Sequence, residues 1–399
     1  PEVYILIIPS FGIYSEVAAT FSGKALFGYK SMVFAIMCIA ILAFTVWLHH
    51  FFTMGQDASI NAVFGIASML IGIPTGVKIY DWMLTMFRGR VRFSVPMIYV
   101  ISFIVLFVLG GMSGILLANP SVDFQVHNTL FLIAHFHNVI IPGVLFGLIA
   151  GYTFWFPKAF GFRLHEGWGR FSAFCWIFGF MLAFFPLYAL GMMGLPRRTV
   201  AYSNPAYQPL EMVAFAGALV LGIAALALVI QLVVSIIHRD ENRVPAGDPW
   251  DGRSLEWACS APPPEYDFPV IPTVLDRDAF TAAKDFGTAY LAPTEYVDIT
   301  TPRNAAVGPL FGGLGFALAF GLVWHIWWLV ILATLGVFAT LIVRGFARNL
   351  TRTIPAAEVK AEHERWLALV RATTPVTRAD EHAPINQGLA DQTALRAAP

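Results

Sequence analysis

Apolar segments of membrane-spanning length recur along this chain of 399 residues and constrain its fold more than any other feature. A helix needs about 20 consecutive apolar residues to cross the hydrocarbon core of a bilayer. Only 13% of the residues are charged, whereas an ordinary soluble domain has about 25%. The chain is therefore predicted to be an all-α, polytopic transmembrane helix bundle. The predicted spans are residues 30–50, 58–80, 95–117, 129–156, 171–193, 212–237, 305–323 and 325–343, with residues 1–15 as part of a further, truncated helix.

Lysine and arginine fall on alternate connections between these spans, which places them on one side of the membrane. The positive-inside rule identifies that side as the cytoplasm. Arg197 and Arg198, in the sequence LPRRT, are the exception, because they follow a span that ends on the outer side. Two cations at that position indicate an anionic partner, for which a carboxylate and lipid phosphate are the two candidates.

Composition divides the chain into four segments. We expect a transmembrane bundle over residues 1–237, a Pro-rich cytoplasmic loop over 238–304, an extra helix pair over 305–344, and a partly disordered cytoplasmic tail over 345–399. The formal net charge is zero, which argues against a nucleic-acid partner. The three cysteines form no CxxC motif and no disulfide framework.

Histidines concentrate at one depth in the predicted membrane region. His49 and His50 end an outward-running span, whereas His127, His135 and His137 open an inward-running one. Neutral imidazole binds both copper and haem iron. A single membrane histidine is more often a helix–helix hydrogen bond, but five at matched depth favour metal binding.

The sequence AHFHN places His135 and His137 two residues apart, about 200° around a helix axis. One metal cannot easily take both rings, so two haems on opposite faces of the helix are predicted. The adjacent pair His49-His50 suits one metal at a helix end, where the backbone can unwind enough to aim both rings. Taken alone, Lys78 would snorkel to the cytoplasmic face, and Thr75 would bond back to its own helix.

The chain resembles subunit I of the haem–copper oxidases from Pro1 to about residue 345, in the segments PEVYILIIPSFG, VWLHHFFT, IPTGVKIYDW, AHFHNVI and DPWDGRSLEWA. HNTLFLIAHFHNVI, GLPRR and the two extra C-terminal spans are similar to the bo-type ubiquinol oxidase branch. The resemblance implies a C-terminal fragment, roughly two-thirds of subunit I, in a bacterial inner membrane. Residues 1–399 alone are expected to be inactive, because the family's third copper ligand is the histidine that precedes Pro1 and the second low-spin haem ligand lies on an earlier helix.

At the copper centre, the resemblance assigns His49 and His50 as two ligands. It assigns Tyr4 as the tyrosine that supplies an electron and a proton to the site, and Glu2 as the glutamate that passes protons to it. His127 is a further candidate metal ligand. Its neighbour Asn128 stands where the cytochrome c branch usually has a magnesium-binding aspartate, which favours the quinol branch.

For the haems, the resemblance assigns His135 to a high-spin haem of o or a type and His137 to a low-spin haem, expected to be of b type. Arg197 and Arg198 would bind the propionates. Thr75 and Lys78 match a proton-uptake path that Ser31 would join. Implied partners are ubiquinol, oxygen, membrane lipid and oxidase subunits II, III and IV.

Three alternatives stay open at this point. A cytochrome c oxidase would run the same chemistry with a different electron donor. A nitric oxide reductase relative would lack counterparts of Tyr4 and of the VKIYDW segment, and both are present. A proton-coupled transporter could use membrane histidine, glutamate and lysine without metals.

Overall fold

The computed structural model describes residues 2–303 and 306–373, and helices make up most of them. The α-helices are α1 (Glu2–Ser22), α2 (Tyr29–Leu42), α3 (Ala58–Leu70), α4 (Gly72–Met86), α5 (Val95–Ala118), α6 (Pro120–Val126), α7 (Leu130–Ile140), α8 (Phe146–Phe160), α9 (Glu166–Met192), α10 (Gln208–Ile237), α11 (Ala279–Asp285), α12 (Val307–Val323), α13 (Trp327–Gly345) and α14 (Ala356–Ala372). The two strands are β1 (Ile299–Pro302) and β2 (Thr351–Ile354).

Eight helices within the described residues are long and apolar enough to cross a membrane, and α12 is a shorter apolar helix. The predicted all-α, polytopic bundle is thereby confirmed. Two predicted ends were too early. The first helix runs to Ser22 rather than residue 15, because its polar end is buried against neighbouring helices. The span predicted to end at residue 80 continues through Met86, because the polar residues Asp81 and Thr85 are buried on it.

The described residues form two compact units, of which the larger comprises residues 2–263, 274–289 and 370–373. Its core lies between α5, α8 and α9, and includes Tyr99, Phe146 and Phe180. A second cluster joins α1, α4 and α5, where the Tyr14 ring stacks on Phe103 with 3.8 Å between centroids. Aromatic side chains of this size bury large areas and fix helix positions through their preferred ring geometries.

Two spans leave regular α-helical geometry beside the histidines. After α2 the chain continues as 3₁₀ turns, the second of them over Trp47–Phe51. After α7 it forms a π-helical turn over Ile141–Leu145 that contains Pro142. Proline has no backbone N–H to donate to the carbonyl four residues earlier, and π turns inside helices are frequent at functional sites. The Pro142 carbonyl accepts a hydrogen bond from the Tyr14 hydroxyl at 2.5 Å.

Part of the predicted cytoplasmic loop packs on the larger unit. Trp250 Nε1 donates to the carbonyl of Phe154 in α8 at 2.9 Å. Lys284 Nζ pairs with Asp248 at 2.6 Å and with Asp251 at 2.8 Å. These ion pairs join the two ends of the segment 248–284. They are largely withdrawn from solvent, and a buried ion pair is screened less than one at the surface.

The smaller unit comprises residues 264–273 and 290–369. Helices α12 and α13 pack as a hairpin, and β1 pairs antiparallel with β2. Within this unit α14 is held by hydrogen bonds from Tyr266 to Glu362 and from Tyr296 to His363, each 2.9 Å long. The helical part of the predicted tail corresponds to α14, and its predicted disordered part lies largely outside the described residues. The division of the chain at residues 237, 304 and 344 stays a prediction.

Candidate metal and proton-transfer site

His49 and His50 lie in the 3₁₀ turn that follows α2, and their rings face each other. The two Nε2 atoms are 3.1 Å apart. The Ser68 hydroxyl donates to the Phe64 carbonyl at 2.6 Å, so it can only accept from His49 Nδ1, which is 2.9 Å away. The His49 proton therefore sits on Nδ1, and the lone pair of Nε2 is directed at His50.

This arrangement fits a single copper ion. Metal–imidazole bonds of about 2.0–2.1 Å put two ligand nitrogens of one metal about 3 Å apart, and imidazole is a suitable copper ligand. In residues 2–303 and 306–373, no group of three histidine, cysteine or acidic side chains could hold a metal ion. The described chain would therefore supply His49 and His50 to such a site.

His135 projects from α7 towards α5. Its Nδ1 lies 2.9 Å from Ser113 Oγ and 3.2 Å from the Gly110 carbonyl. A carbonyl can only accept, so the proton is on Nδ1 and the lone pair of Nε2 remains for a metal. Gly114 makes room for the ring, since a Cβ there would lie 2.9 Å from His135 Cε1.

Ser113 is part of a larger polar network that the sequence analysis missed. Its hydroxyl also lies 2.9 Å from the Tyr188 hydroxyl of α9, to which Asn138 Nδ2 donates at 3.2 Å. The network ties the His135 ring to three helices. Hydrogen bonds to the non-ligating nitrogen fix the tautomer and orientation of a metal-binding imidazole.

His137 contacts α9 instead. Its ring stacks on Phe184 with 4.3 Å between centroids and 18° between planes. Its Nδ1 donates to the Ile133 carbonyl of its own helix at 2.8 Å, which again leaves Nε2 free. The rings of His135 and His137 therefore contact different neighbouring helices, α5 and α9. This placement fits two haem irons on separate sides of α7, and the assignment of either ligand stays a prediction.

The outer loops place the remaining cationic candidates near the copper pair. The Arg197 N–H donates to the Asn128 carbonyl at 2.9 Å, so the loop after α9 is bound to the loop before α7. His50 interacts electrostatically with both His127 and Arg197. Arg198 follows with its side chain exposed. An exposed guanidinium beside the histidines suits a carboxylate or phosphate partner.

His127 is engaged by an acidic neighbour. Its Nδ1 lies 3.2 Å from Asp123 Oδ2. Burial raises the pKa of the Asp123 carboxyl, and His127 partly offsets this effect. A carboxylate on one ring nitrogen orients the imidazole and leaves the other nitrogen available.

On α4, Lys78 is fully buried, and within the described chain its Nζ has no hydrogen-bond partner. The Nζ lies 2.8 Å from the centroid of the Phe11 ring, so the side chain does not snorkel to the cytoplasmic face. Thr75, one turn away, donates to the Ile71 carbonyl at 2.8 Å. The Ser31 hydroxyl donates to Asp81 Oδ2 at 2.8 Å and makes no hydrogen bond with Lys78. Burying an unpaired charge is costly, and such groups in membrane helices are usually functional.

Glu2 and Tyr4 lie in the first turn of α1, with Glu2 exposed and Tyr4 half-buried. Tyr4 is seven residues, or about 10 Å along the helix axis, from Phe11. Among the described residues, neither side chain is hydrogen-bonded to another predicted site residue. The structure thus brings together the His49-His50 pair, the loop of Arg197 and His127. Lys78, on α4, packs against Phe11 of α1 and so lies at a different level from Tyr4.

Ser113, Tyr188, Ser68 and Asp81 were not predicted. Their roles could not be predicted, because each depends on which helices lie side by side, and apolar periodicity does not specify helix neighbours. The sequence GGMSG, with Gly110 and Gly114 one turn apart, was the available indication of close helix approach on α5.

Comparison with known proteins places these residues in a family. The family model for cytochrome c and quinol oxidase polypeptide I matches residues 1–220. The chain is 52% identical over 363 residues to a probable cytochrome c oxidase subunit 1 of Bradyrhizobium diazoefficiens, which covers 90% of this chain and 54% of the relative. It is 49% identical over 360 residues to a cytochrome bo(3) ubiquinol oxidase subunit 1 of Buchnera aphidicola subsp. Baizongia pistaciae, covering 90% and 55%.

A ubiquinol oxidase subunit 1 of Acetobacter aceti is 47% identical, over 92% of this chain and 56% of the relative. The chain thus spans about half the length of the curated relatives it matches. A cryo-EM structure of a heme-copper terminal oxidase dimer covers 93% of this chain and 62% of its own, with a TM-score of 0.56 and 18% identity, and so shares the fold.

The membrane-spanning helices and the bacterial relatives make this a multi-pass protein of a bacterial plasma membrane. The predicted family is confirmed by the match over residues 1–220 and by relatives of 46–52% identity over at least 90% of the chain. Haem and copper are the cofactors that this family implies. The chain belongs to the cytochrome c and quinol oxidase polypeptide I family.

Proposed function

We propose that this chain is part of subunit I of a terminal oxidase that takes electrons from ubiquinol, reduces oxygen to water and translocates protons. The observation that carries the proposal is the histidine geometry. His135 and His137 lie on one helix, where the His135 ring contacts α5 and the His137 ring stacks on α9, and the hydrogen bonds of both rings through Nδ1 leave each Nε2 free. His49 and His50 lie close enough to His135 for their charges to interact, which supports copper on the same side of α7 as His135.

His135 would hold a high-spin haem of o or a type, and His137 a low-spin haem of b type. His49 and His50 would hold copper. When bound, these groups carry the electrons and the oxygen chemistry, and the protein supplies position and electrostatics. Ser113 holds the His135 ring in one orientation through Nδ1. Phe184, stacked on His137, excludes water from one face of that ring.

The remaining residues would handle charge and protons. Arg197 and Arg198, on the outer loop, would pair with haem propionates. Lys78 is a buried amine that can hold one proton at Nζ, with Thr75 on the next turn of the same helix and Tyr4 further along α1. Oxidase subunits II, III and IV, ubiquinol, oxygen and membrane lipid are the proposed partners.

One observation favours a second donor. The relative that is 52% identical is named as a probable cytochrome c oxidase subunit 1, so reduced cytochrome c is the alternative electron source. The quinol oxidase subunits among the relatives, at 43–49% identity, support ubiquinol.

Oxygen uptake by membranes that contain the complete oxidase tests both possibilities. We expect uptake with a soluble ubiquinol and none with reduced cytochrome c, and we expect His49→Ala membranes to show neither. Uptake with cytochrome c alone would replace the donor in this proposal. No uptake with either donor, in membranes that contain the assembled protein, would reject it.

A further inference from the structure

The cytoplasmic half of α4 contains a buried acid that the proposed function does not use. Asp81 is 4% exposed and lies one helical turn from Lys78, which is 0% exposed. Side chains three residues apart on a helix are neighbours, with about 5–6 Å between their Cβ atoms. Two buried ionisable groups therefore lie next to each other on one face of a membrane-spanning helix.

Asp81 has one polar side-chain partner. Its Oδ2 accepts from the Ser31 hydroxyl at 2.8 Å, and the same hydroxyl has a second acceptor in the Gly28 carbonyl at 2.7 Å. Ser31 is exposed at the start of α2. In the described part of the chain Asp81 forms no ion pair. Lys24, in the loop between α1 and α2, bonds elsewhere, since its Nζ donates to the carbonyls of Leu84 and Phe87 at 3.0 and 2.6 Å.

The approach of α2 to Asp81 requires a glycine. Gly28 has φ +62° and precedes α2, and a Cβ there would overlap the carboxyl of Asp81. The carboxyl therefore sits against the N-terminal turn of α2, where the helix dipole favours negative charge. This position lets Asp81 exist as a carboxylate in spite of its burial.

The side chains of Ser31, Asp81 and Lys78 are arranged in order of increasing burial. The Ser31 hydroxyl is exposed, the Asp81 carboxyl is nearly buried, and Lys78 Nζ is fully buried without a hydrogen-bond partner. A proton that reaches Lys78 from the cytoplasm needs a group that can bind it at the entrance and release it one turn further in.

We infer that Asp81 is the proton-loading group that feeds Lys78 from the cytoplasmic side. This inference rests on the proposed function, because it assumes that Lys78 carries protons for oxygen reduction. The Asp81 carboxylate takes a proton from cytoplasmic water, becomes a carboxylic acid, and returns to carboxylate as the proton passes to the Lys78 amine through water. No electrons move in this step.

A structural role is the competing explanation, in which Asp81 only holds α2 against α4. The substitution Asp81→Asn distinguishes the structural role from the proton-loading role. An amide oxygen still accepts from Ser31, but the amide cannot hold a transferable proton. Asp81→Glu restores a carboxyl group. Asp240→Asn is the matched control, since Asp240 is exposed and pairs only with Arg243 of its own turn.

The experiment uses the complete oxidase in membranes and measures the anaerobic rate of reduction of its high-spin haem. We expect Asp81→Asn to slow this rate about tenfold or more, with Asp81→Glu and Asp240→Asn close to the parent and all haem bands retained. Adding Asp81→Asn to Lys78→Met should slow Lys78→Met no further, because groups that act as a unit are not additive. A parental rate in Asp81→Asn, or an additive double variant, would overturn the inference.

If Asp81→Asn fails to assemble, the unmodified oxidase still provides a test. The reduced-minus-oxidised infrared spectrum is recorded with and without aspartate labelled by ¹³C at the side-chain carboxyl. A proton-loading aspartate gives a carboxyl band that the label displaces, and the absence of any displaced band overturns the inference. If the parent shows no haem reduction at all, the proposed function fails instead.

Discussion

The two histidines of α7 are held by different side chains, His135 by the Ser113 hydroxyl and His137 by the ring of Phe184. The two-residue spacing of His135 and His137 determines their directions, since an α-helix rotates by about 100° per residue. The contact with Ser113 could not be predicted, because it requires α5 to lie against α7. Lys78 differs in another way. The sequence allowed the Lys78 side chain to snorkel to the membrane surface. Its burial against the Phe11 ring could not be predicted, because it depends on the position of α1.

The network at Ser113 gives a prediction about haem retention. Ser113→Ala removes the hydroxyl that joins His135 Nδ1 to Tyr188, so we expect the complete oxidase to hold its high-spin haem about tenfold less tightly or more. Tyr188→Phe should have a smaller effect in the same direction. Haem content from absorption spectra and the iron–histidine vibration from resonance Raman spectra measure this.

Ser102→Ala is the matched control for Ser113→Ala. Ser102 lies on the same helix, α5, where it is half-buried while Ser113 is buried, and its hydroxyl donates to the Ile98 carbonyl of its own helix at 2.8 Å. Equal haem loss in Ser102→Ala and Ser113→Ala would show that any serine loss on α5 has this effect, and would contradict a specific role for Ser113.

At the scale of helices and strands, amphipathic and apolar patterns predict the spans, while local backbone chemistry alters their course. Pro142 explains the π turn after α7, although a proline in a sequence equally predicts a kink or a helix end. The pairing of β1 with β2 was missed because Ile299–Pro302 and Thr351–Ile354 are four residues long and 49 positions apart. Short strands without alternation carry little information in the sequence.

The packing of α9 on α10 gives a prediction about stability. A Cβ on Gly217 would overlap the backbone of Ala183 in α9, so Gly217→Ala should destabilise the protein by about 1–3 kcal/mol. Gly222→Ala, on the same helix with nothing within 4 Å of its Cβ, should be neutral or stabilising by up to about 1 kcal/mol. Thermal unfolding midpoints in detergent measure both, and equal midpoints would refute this account of the contact.

The docking of α14 gives a prediction about pH. Burial lowers the pKa of His363, with Glu364 acting in the opposite direction. The folded state therefore favours the neutral imidazole, which Tyr296 and Trp366 contact. Its stabilising contribution is fully present above the usual histidine pKa of about 6.5, and it is lost as the pH falls through the lowered value.

Hydrogen–deuterium exchange of residues 356–372 checks this at about pH 7.5 and about pH 5.5, with protection corrected for intrinsic exchange. We expect protection to fall at the lower pH in the parent and to change little in His363→Gln, which cannot titrate. An equal loss of protection in both proteins would assign the effect to another group.

At the scale of the whole molecule, composition alone establishes the membrane class, and the combination of motifs establishes the family. No single histidine distinguishes a haem protein from a proton-coupled transporter. The distinction comes from the HH pair and the HxH pair at one depth, together with the match of residues 1–220 to the oxidase family. The identity of the electron donor is less well determined, since relatives named for ubiquinol and for cytochrome c are both about 50% identical to this chain.

The central claim is that His135 and His137 hold different haems on opposite sides of one helix. Reduced-minus-oxidised and carbon monoxide difference spectra of the complete oxidase, with and without His135→Ala, test it most directly. We expect His135→Ala to lose the carbon monoxide spectrum and keep the low-spin band, and His137→Ala to lose the low-spin band. Loss of both bands together in His135→Ala, with the protein assembled, or the absence of haem bands in the parent, would contradict the account.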